Sequence, residues 1–333
     1  MAARLILAGD VGATKTLLGL FRANNGGLNS VRERRYSSSE YRSLEAVCAD
    51  FMAGERIGAA CLGVPGVVVG GAAQASNLAW KMNERAVGGA LGGAPVRLLN
   101  DLSAAAFGLV HLGASDYRVI NRGASRDLRG NIAAIAAGTG LGEAALAWDG
   151  ERYHALASEG GHSSFAPQGD EQVELLKFLA REFGHVSWER VLSGPGLVNI
   201  YRFARAMSAE PEPEWLTRAL AADDPAAAIS GAAMAGHDAA CAHALTMFCA
   251  MYGSEAGNLA LKVLATGGVY LCGGIAPRIL PWLEQGDFMR SFQDKGRLGA
   301  ILARIEVRVV TRADTALLGA AHCALAMLDQ IRD

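Results

Sequence analysis

The chain of 333 residues has no excess of charge of either sign: 31 Lys and Arg stand against 33 Asp and Glu, a net charge of -2. No charge run extends beyond Arg32-Glu33-Arg34-Arg35, which argues against a nucleic-acid face and points to a small neutral or modestly anionic ligand. No apolar segment of spanning length is free of glycine and polar breaks, and the start shows no basic-then-apolar leader pattern. A soluble, cytoplasmic protein with no membrane partner is expected. The six cysteines form no C-x-x-C pair and lie mostly in apolar stretches, as buried thiols do. Cys241, His243 and Cys249 fit no zinc spacing, and both cysteines fall in a helically periodic stretch where core packing is expected.

Glycine and apolar residues are plentiful. Half of the chain, 51%, is hydrophobic, which suits two domains and a cleft better than one ordinary core. Many of the 41 glycines gather just after strand-like runs: Gly9 and Gly12, Gly63 and Gly66, Gly138 to Gly142, Gly160 and Gly161, Gly267 and Gly268, Gly273 and Gly274.

The stretch GDVGATKT, from Gly9 to Thr16, fits the phosphate pattern G-x-x-x-x-G-K-[ST] except at Thr14. That pattern must open a helix, whose N-terminus supplies part of the anion binding. Here Thr16 to Phe21 is short, carries Gly19, and runs into the turn Asn24-Asn25-Gly26-Gly27 before a second strand-like run near Val31 to Tyr36. The loop therefore joins two strands of a hairpin.

Further along, a helix is expected over 41–53, a buried strand over 57–64, another strand over 67–73, and a short strand over 96–99 leading into a helix from Leu102 to about Leu112. After the polar stretch 122–131 the opening pattern returns. A strand over 132–137, the turn Gly138-Thr139-Gly140-Leu141-Gly142 and a strand over 143–148 repeat it. Helices are expected over 170–183 and much of 226–264, strands over 269–272 and 305–310, and a last helix capped by Asp314. The alternation is that of an α/β fold. Two strand-turn-strand units, one in each half, suggest a duplicated architecture that grips a phosphate chain through backbone N–H groups.

Asp10, at the end of the first strand, is placed to hold Mg²⁺ through water, or is a turn aspartate bonding its own backbone. Lys15 stays open between phosphate neutralisation and solvation. Asn100-Asp101 stands at a strand-to-helix junction, where Asp101 alone reads most simply as an N-cap; near phosphate loops it becomes a base for a hydroxyl. In SEGGHSSFAP, Glu159 and His162 flank two glycines in a turn suited to sugar hydroxyls, although a lone histidine reads first as a turn residue. Glu189 reads as an exposed helix-face carboxylate.

The motifs LILAGDVGATKT, LLNDLSAAAFGL, AAGTGLGEA, SEGGHSSFAPQ, GHVSWERVLSGPGLVNIY, GNLAL and GGVYLCGGIAPRI resemble those of bacterial glucokinases, in order and over nearly the whole chain. The resemblance implies a two-domain actin-like ATPase (ribonuclease H-like) fold, with a small domain of residues 1–111 plus about 303–333 and a large domain of about 112–302. It implies ATP-dependent phosphorylation of glucose at the 6-hydroxyl, a cytoplasmic homodimer, and ATP with Mg²⁺ as cofactors. By position, Asp10, Gly12 and Thr14 match the first phosphate loop, with Asp10 on the metal through water. Gly138, Thr139, Gly140 and Gly142 match the second, and Gly273 and Gly274 the adenosine side. Asn77, Asn100, Asp101, Glu159, His162 and Glu189 match the sugar contacts, with Asp101 as general base. Ala13 stands where the family's first loop has a second glycine, and Leu102 where phenylalanine is common. Lys15 is shared with the related ROK kinases, whose cysteine-rich zinc motif the chain lacks. Rival readings are a broader hexose or amino-sugar kinase, a non-catalytic sugar sensor, for which no DNA-binding module is expected ahead of Gly9, and an actin-like ATPase.

Overall fold

The computed structural model describes residues 5–330 except 25, 26, 76, 77, 125, 126, 128 and 209. It comprises two compact units, Met1–Ala114 with Ala155–Ala157 and Arg312–Asp333, and Ser115–His154 with Ser158–Thr311.

The first unit holds β1 (Leu5–Val11), β2 (Lys15–Asn24), β3 (Gly27–Ser37), β4 (Ala59–Val64), a small sheet of β5 (Val68–Val69), β6 (Ala72–Gln74) and β7 (Lys81–Asn83), and β8 (Val96–Asn100). The main sheet has the order β3-β2-β1-β4-β8. β1 pairs antiparallel with β2 and parallel with β4, which pairs parallel with β8. β1 is apolar almost throughout because both of its faces are covered. Leu7 belongs to a core with Leu44, Val47 and Phe51 of helix Leu44–Met52, while Ile6 and Ala8 pack with Leu317, Ala320 and Ala324 of the final helix Thr315–Gln330.

The second unit holds β9 (Tyr117–Asn121), β10 (Ile132–Ala137), β11 (Leu141–Trp148), β13 (Gly268–Cys272), β14 (Val307–Val310) and the first two residues of β12 (Tyr153–Ala157), whose last three are counted with the first unit; the sheet order is β12-β11-β10-β13-β14-β9. Apart from the added edge strand β9, this order repeats that of the first sheet. The directions repeat too: β10 is antiparallel to β11 and parallel to β13, which is parallel to β14. The duplicated strand-turn-strand expectation thus has a structural counterpart. The long helix Ala239–Val263 buries Leu245, Phe248, Tyr252 and Ala256 in one core with Ile135, Val269 and Leu271. Tyr252 donates its hydroxyl to the Ile135 carbonyl at 3.3 Å.

Several local expectations are corrected. The 226–264 stretch is two helices, Pro225–Met234 and Ala239–Val263, because Asp238 leaves the helical region and caps the second through the Cys241 N–H at 2.8 Å. The 67–73 stretch is not one strand: Gly70 and Gly71, at φ 58° and 74°, turn the chain between β5 and β6. Asp314 stands just before the final helix as expected, its carbonyl accepting from the Leu318 N–H at 3.0 Å, while its carboxylate takes a bidentate pair of bonds from Arg312, both at 2.9 Å. Cys241 and Cys249 are buried free thiols, whereas His243 meets Glu171 at 2.6 Å on the surface. Among the described residues no helix is long and apolar enough to cross a membrane.

Helix Asp101–Leu109 and the final helix touch backbone to backbone. A Cβ at Gly319 would lie 1.8 Å from the Ala104 carbonyl oxygen, and one at Gly108 would lie 2.3 Å from that of Thr315. Gly319→Ala is therefore expected to destabilise the protein by about 1–3 kcal/mol through overpacking. Gly89→Ala, in helix Glu84–Ala90 with open space around it, should be neutral or slightly stabilising. Denaturant midpoints for the two variants test this, and equal midpoints would contradict the close contact.

Candidate active site

In the first unit, three parallel strand ends bring the chemistry together. Asp10 is in register with Gly63 of β4, and Val64 with Asn100 of β8. Gly63 is what permits this crowding: a Cβ there would sit 2.9 Å from the Ala104 Cβ and 3.6 Å from the Asp101 Cα. The helix that starts at Asp101 can thus settle directly over the strand ends.

The cap of that helix is Asn100, not Asp101. The Asn100 side-chain oxygen accepts from the N–H groups of Leu102 and Ser103 at 3.1 and 3.2 Å, and its amide donates to the Gly66 carbonyl at 3.2 Å. Asp101 is the first helical residue and keeps access to solvent, with Oδ1 accepting from the Leu102 N–H at 2.7 Å. Crowding behind its carboxyl raises its pKa, opposed by the Leu102 N–H and its own. Asp10 is raised to about 6, first by burial and then by the negative charge of Asp101.

The turn between β1 and β2 is fixed from below. The Gly12 N–H reaches the Lys15 carbonyl at 2.9 Å, the Ser38 N–H reaches the Thr14 carbonyl at 3.0 Å, and the Ser38 hydroxyl donates to the Gly12 carbonyl at 2.8 Å. Among the described residues, no acceptor takes the N–H groups of Ala13 and Thr14. Lys15 is exposed.

The second unit repeats the device. In the turn between β10 and β11, Gly138 donates to the Gly140 carbonyl at 2.9 Å, while no acceptor among the described residues takes the N–H groups of Thr139 and Gly140. Glu189 accepts from the Leu141 N–H at 3.0 Å. It sits on a short 3-10 turn and is half-buried, not on the exposed helix face that the sequence suggested. A Cβ at Gly140 would come within 2.5 Å of its Oε2. His162 lies 4.0 Å from Glu189 and 3.9 Å from Glu159, so the three residues form one cluster. Gly273, at φ 81°, follows β13, and a Cβ there would strike the Ala137 carbonyl at 2.4 Å. Gly273 and Gly274 thus lie beside the second turn, across the parallel pair β10–β13. Asn77 lies outside the described residues. Sequence reasoning missed two residues that position this machinery: Ser38, which carries no motif, and Asn100 in its capping role, for which its place before the helix was a usable signal.

The family model for glucokinase matches residues 7–327. The glucokinase of Nostoc sp. is 38% identical over 338 residues, covering 96% of this chain and 98% of its own. The chain belongs to the glucokinase family. Among solved structures, a glucokinase from an Antarctic psychrotroph is 30% identical with a TM-score of 0.85, covering 97% of this chain and 99% of its own. A ROK family glucokinase from Streptomyces griseus, solved with glucose and AMPPNP, shares the fold at 21% identity and a TM-score of 0.63, over 97% and 99% of the two chains. The glucokinase family and the actin-like α/β fold agree with the twice-repeated sheet order.

In this glucokinase the raised Asp10 carries a sign that can be tested. Folded Asp10 titrates at about 6 against the ordinary 3.8, so the fold binds that proton more tightly than the unfolded chain does. The stability it contributes is complete below the unfolded value and is lost as pH rises through about 6. Asp10→Asn should therefore gain stability relative to the parent between about pH 4 and pH 7, by about 2–3 kcal/mol. Urea unfolding of both proteins across that range measures it, and a pH-independent difference would show that Asp10 titrates ordinarily.

Proposed function

We propose that this glucokinase transfers the γ-phosphoryl group of ATP to the 6-hydroxyl of glucose with Asp101 as general base. The observation that carries the reading is the placement of a solvent-accessible carboxyl with a raised pKa at the strand ends, next to a turn whose Ala13 and Thr14 N–H groups meet no acceptor among the described residues. A raised pKa makes the carboxylate a better proton acceptor, and the Leu102 N–H fixes its orientation.

Asn100 holds the sugar beside it. Its cap and its bond to Gly66 lock the side chain and leave one amide hydrogen for a hydroxyl. Glu159, His162 and Glu189 take the remaining hydroxyls, with Asn77 as a further contact. Their mutual distances of 3.9 and 4.0 Å let one imidazole and two carboxylates meet neighbouring O–H groups. The backbone around Gly12 and Thr14 and around Gly138, Thr139, Gly140 and Gly142 cradles the phosphates, and Gly273 and Gly274 leave room for the adenosine side. As the 6-oxygen attacks phosphorus, its proton passes to Asp101, the bond to the β–γ bridging oxygen breaks, and ADP leaves.

Magnesium fits this arrangement. Asp10 is a largely buried carboxylate next to a second one, and among the described residues no Lys, Arg or His pairs with it and no three His, Cys, Asp or Glu side chains form a metal cage. One carboxylate acting through water is the protein share expected for an ion that travels on phosphates. When bound, the ion neutralises charge on the transferring phosphate. We assign the two compact units as the two domains, with the chain returning to the first at Arg312 because β14 is still paired with β13. Family membership supports a cytoplasmic homodimer.

Asp101→Asn should lower kcat by about 10²–10⁴-fold while glucose binding persists, which separates a base from a binding contact. Coupled measurement of ADP release with glucose, mannose, fructose and N-acetylglucosamine reads both the base and the sugar range. Undiminished turnover in the variant would remove Asp101 from the chemistry, and hydrolysis indifferent to sugar would remove the kinase reading.

A further inference from the structure

Behind the turn that carries Glu159 and His162 lies a carboxyl that the transfer reaction does not use. Glu143, on β11, is 2% exposed, and Glu255, on helix Ala239–Val263, is 0% exposed. The two carboxyls face one another, and neither can donate unless one holds a proton. Glu143 Oε1 is buried with no hydrogen-bond partner among the described residues, an environment that favours the neutral acid over the carboxylate. Burial, and next the Glu255 charge, push Glu143 up to about 8, against an opposing pull from Lys262. Glu255 is held on its other side by Lys262 at 3.1 Å and Asn258 at 2.8 Å. Two buried carboxyls, one of them neutral, thus lean on one ammonium that reaches in from the surface.

The other Glu143 oxygen supports Gly160. A Cβ on Gly160 would lie 2.1 Å from Glu143 Oε2, so the glycine backbone rests on this carboxyl. From Gly160 the turn closes at once: the His162 N–H bonds the Glu159 carbonyl at 3.0 Å and the Ser163 hydroxyl bonds the Gly160 carbonyl at 2.6 Å. We propose that Glu143 is a positioning residue: its protonated carboxyl, tied to Glu255, seats Gly160 and holds the turn that presents Glu159 and His162, and its ionisation releases that turn. The proposal rests on the reading that Glu159 and His162 hold the sugar. The charged groups around Glu143 are Glu255 and Lys262 on the long helix, and Lys295, which bonds Ser254 at 3.1 Å and is drawn by Glu255. From the turn itself comes the Ser158 hydroxyl, which accepts from the Gly160 N–H at 2.9 Å.

The test compares the parent with Glu143→Gln, an isostere that stays neutral, from about pH 7 to pH 9. Glucose affinity of the parent should weaken about tenfold over that span as the competent fraction falls, with kcat changing less, and the variant should stay flat. Without any sugar, the 160–163 amides of the parent should lose hydrogen-exchange protection relative to the variant at the alkaline end. Lys262→Gln, at a position whose side chain is 55% exposed and so tolerant of change, removes the charge that favours ionisation and should move the transition to higher pH. The same alkaline weakening in parent and Glu143→Gln, or an unmoved midpoint in Lys262→Gln, would overturn the proposal. If Glu159→Gln binds glucose normally at neutral pH, the sugar-site reading fails instead, and the exchange data still judge Glu143.

Discussion

The close approach of helix Asp101–Leu109 to the ends of β1 and β4 is the constraint on which the first unit depends. It requires the absence of side chains at three places, Gly63 beneath the helix and Gly108 and Gly319 where it meets the final helix. The contact costs the apolar burial that larger residues would supply. In return, backbone approaches backbone, and Asp101 is set close enough for its charge to add to the burial that raises Asp10. The final helix, from the far end of the sequence, is what presses the arrangement shut. This is why residues beyond Arg312 fold with the first residues of the chain and not with their neighbours.

The second unit solves the same problem with a side chain. Its turn between β10 and β11 is clasped by Glu189, whose carboxylate takes the Leu141 N–H and fills the space that Gly140 leaves open. A residue that the family resemblance assigns to the sugar thus also shapes the turn proposed to take phosphate, and it stands 4.0 Å from His162. The proposed sugar contact and the geometry of the turn share one carboxylate. In the first unit the corresponding turn is held by Ser38, a neutral hydroxyl that also meets the Thr16 hydroxyl at 3.0 Å.

Much of this was legible in the sequence. The hairpin reading of GDVGATKT followed from its short, glycine-interrupted continuation, and β1 and β2 pair as that reading requires. The repeat of strand, glycine-rich turn and strand anticipated the duplicated sheet order. Strands β7, β9 and β12 were not legible: each is at most 5 residues long and largely polar or half exposed, so no apolar alternation marks it. The capping of helix Asp101–Leu109 by Asn100 was missed because two adjacent cap-forming residues compete, and only the backbone dihedrals choose between them. Glu143 was invisible for a different reason. A single glutamate in the otherwise apolar run Leu141–Trp148 carries no sign of what it faces, and only the fold shows that its neighbour is another glutamate.

The protein therefore carries, among the described residues, two pairs of neighbouring carboxyls in each of which one member, Asp10 or Glu143, is raised first by burial and then by its partner's charge, and what separates the pairs is compensation. Glu143 and Glu255 are closed off, share a proton and are balanced by Lys262, so the charge they bury is small at neutral pH. Asp10 and Asp101 have no such cation among the described residues, and one of them stays open to solvent. An uncompensated pair costs stability as pH rises through the pKa of Asp10, a cost that a purely structural site would have no reason to keep. It is the electrostatic state expected of a site that waits for a cation on one side and a proton on the other. The closed pair instead holds the geometry of a turn.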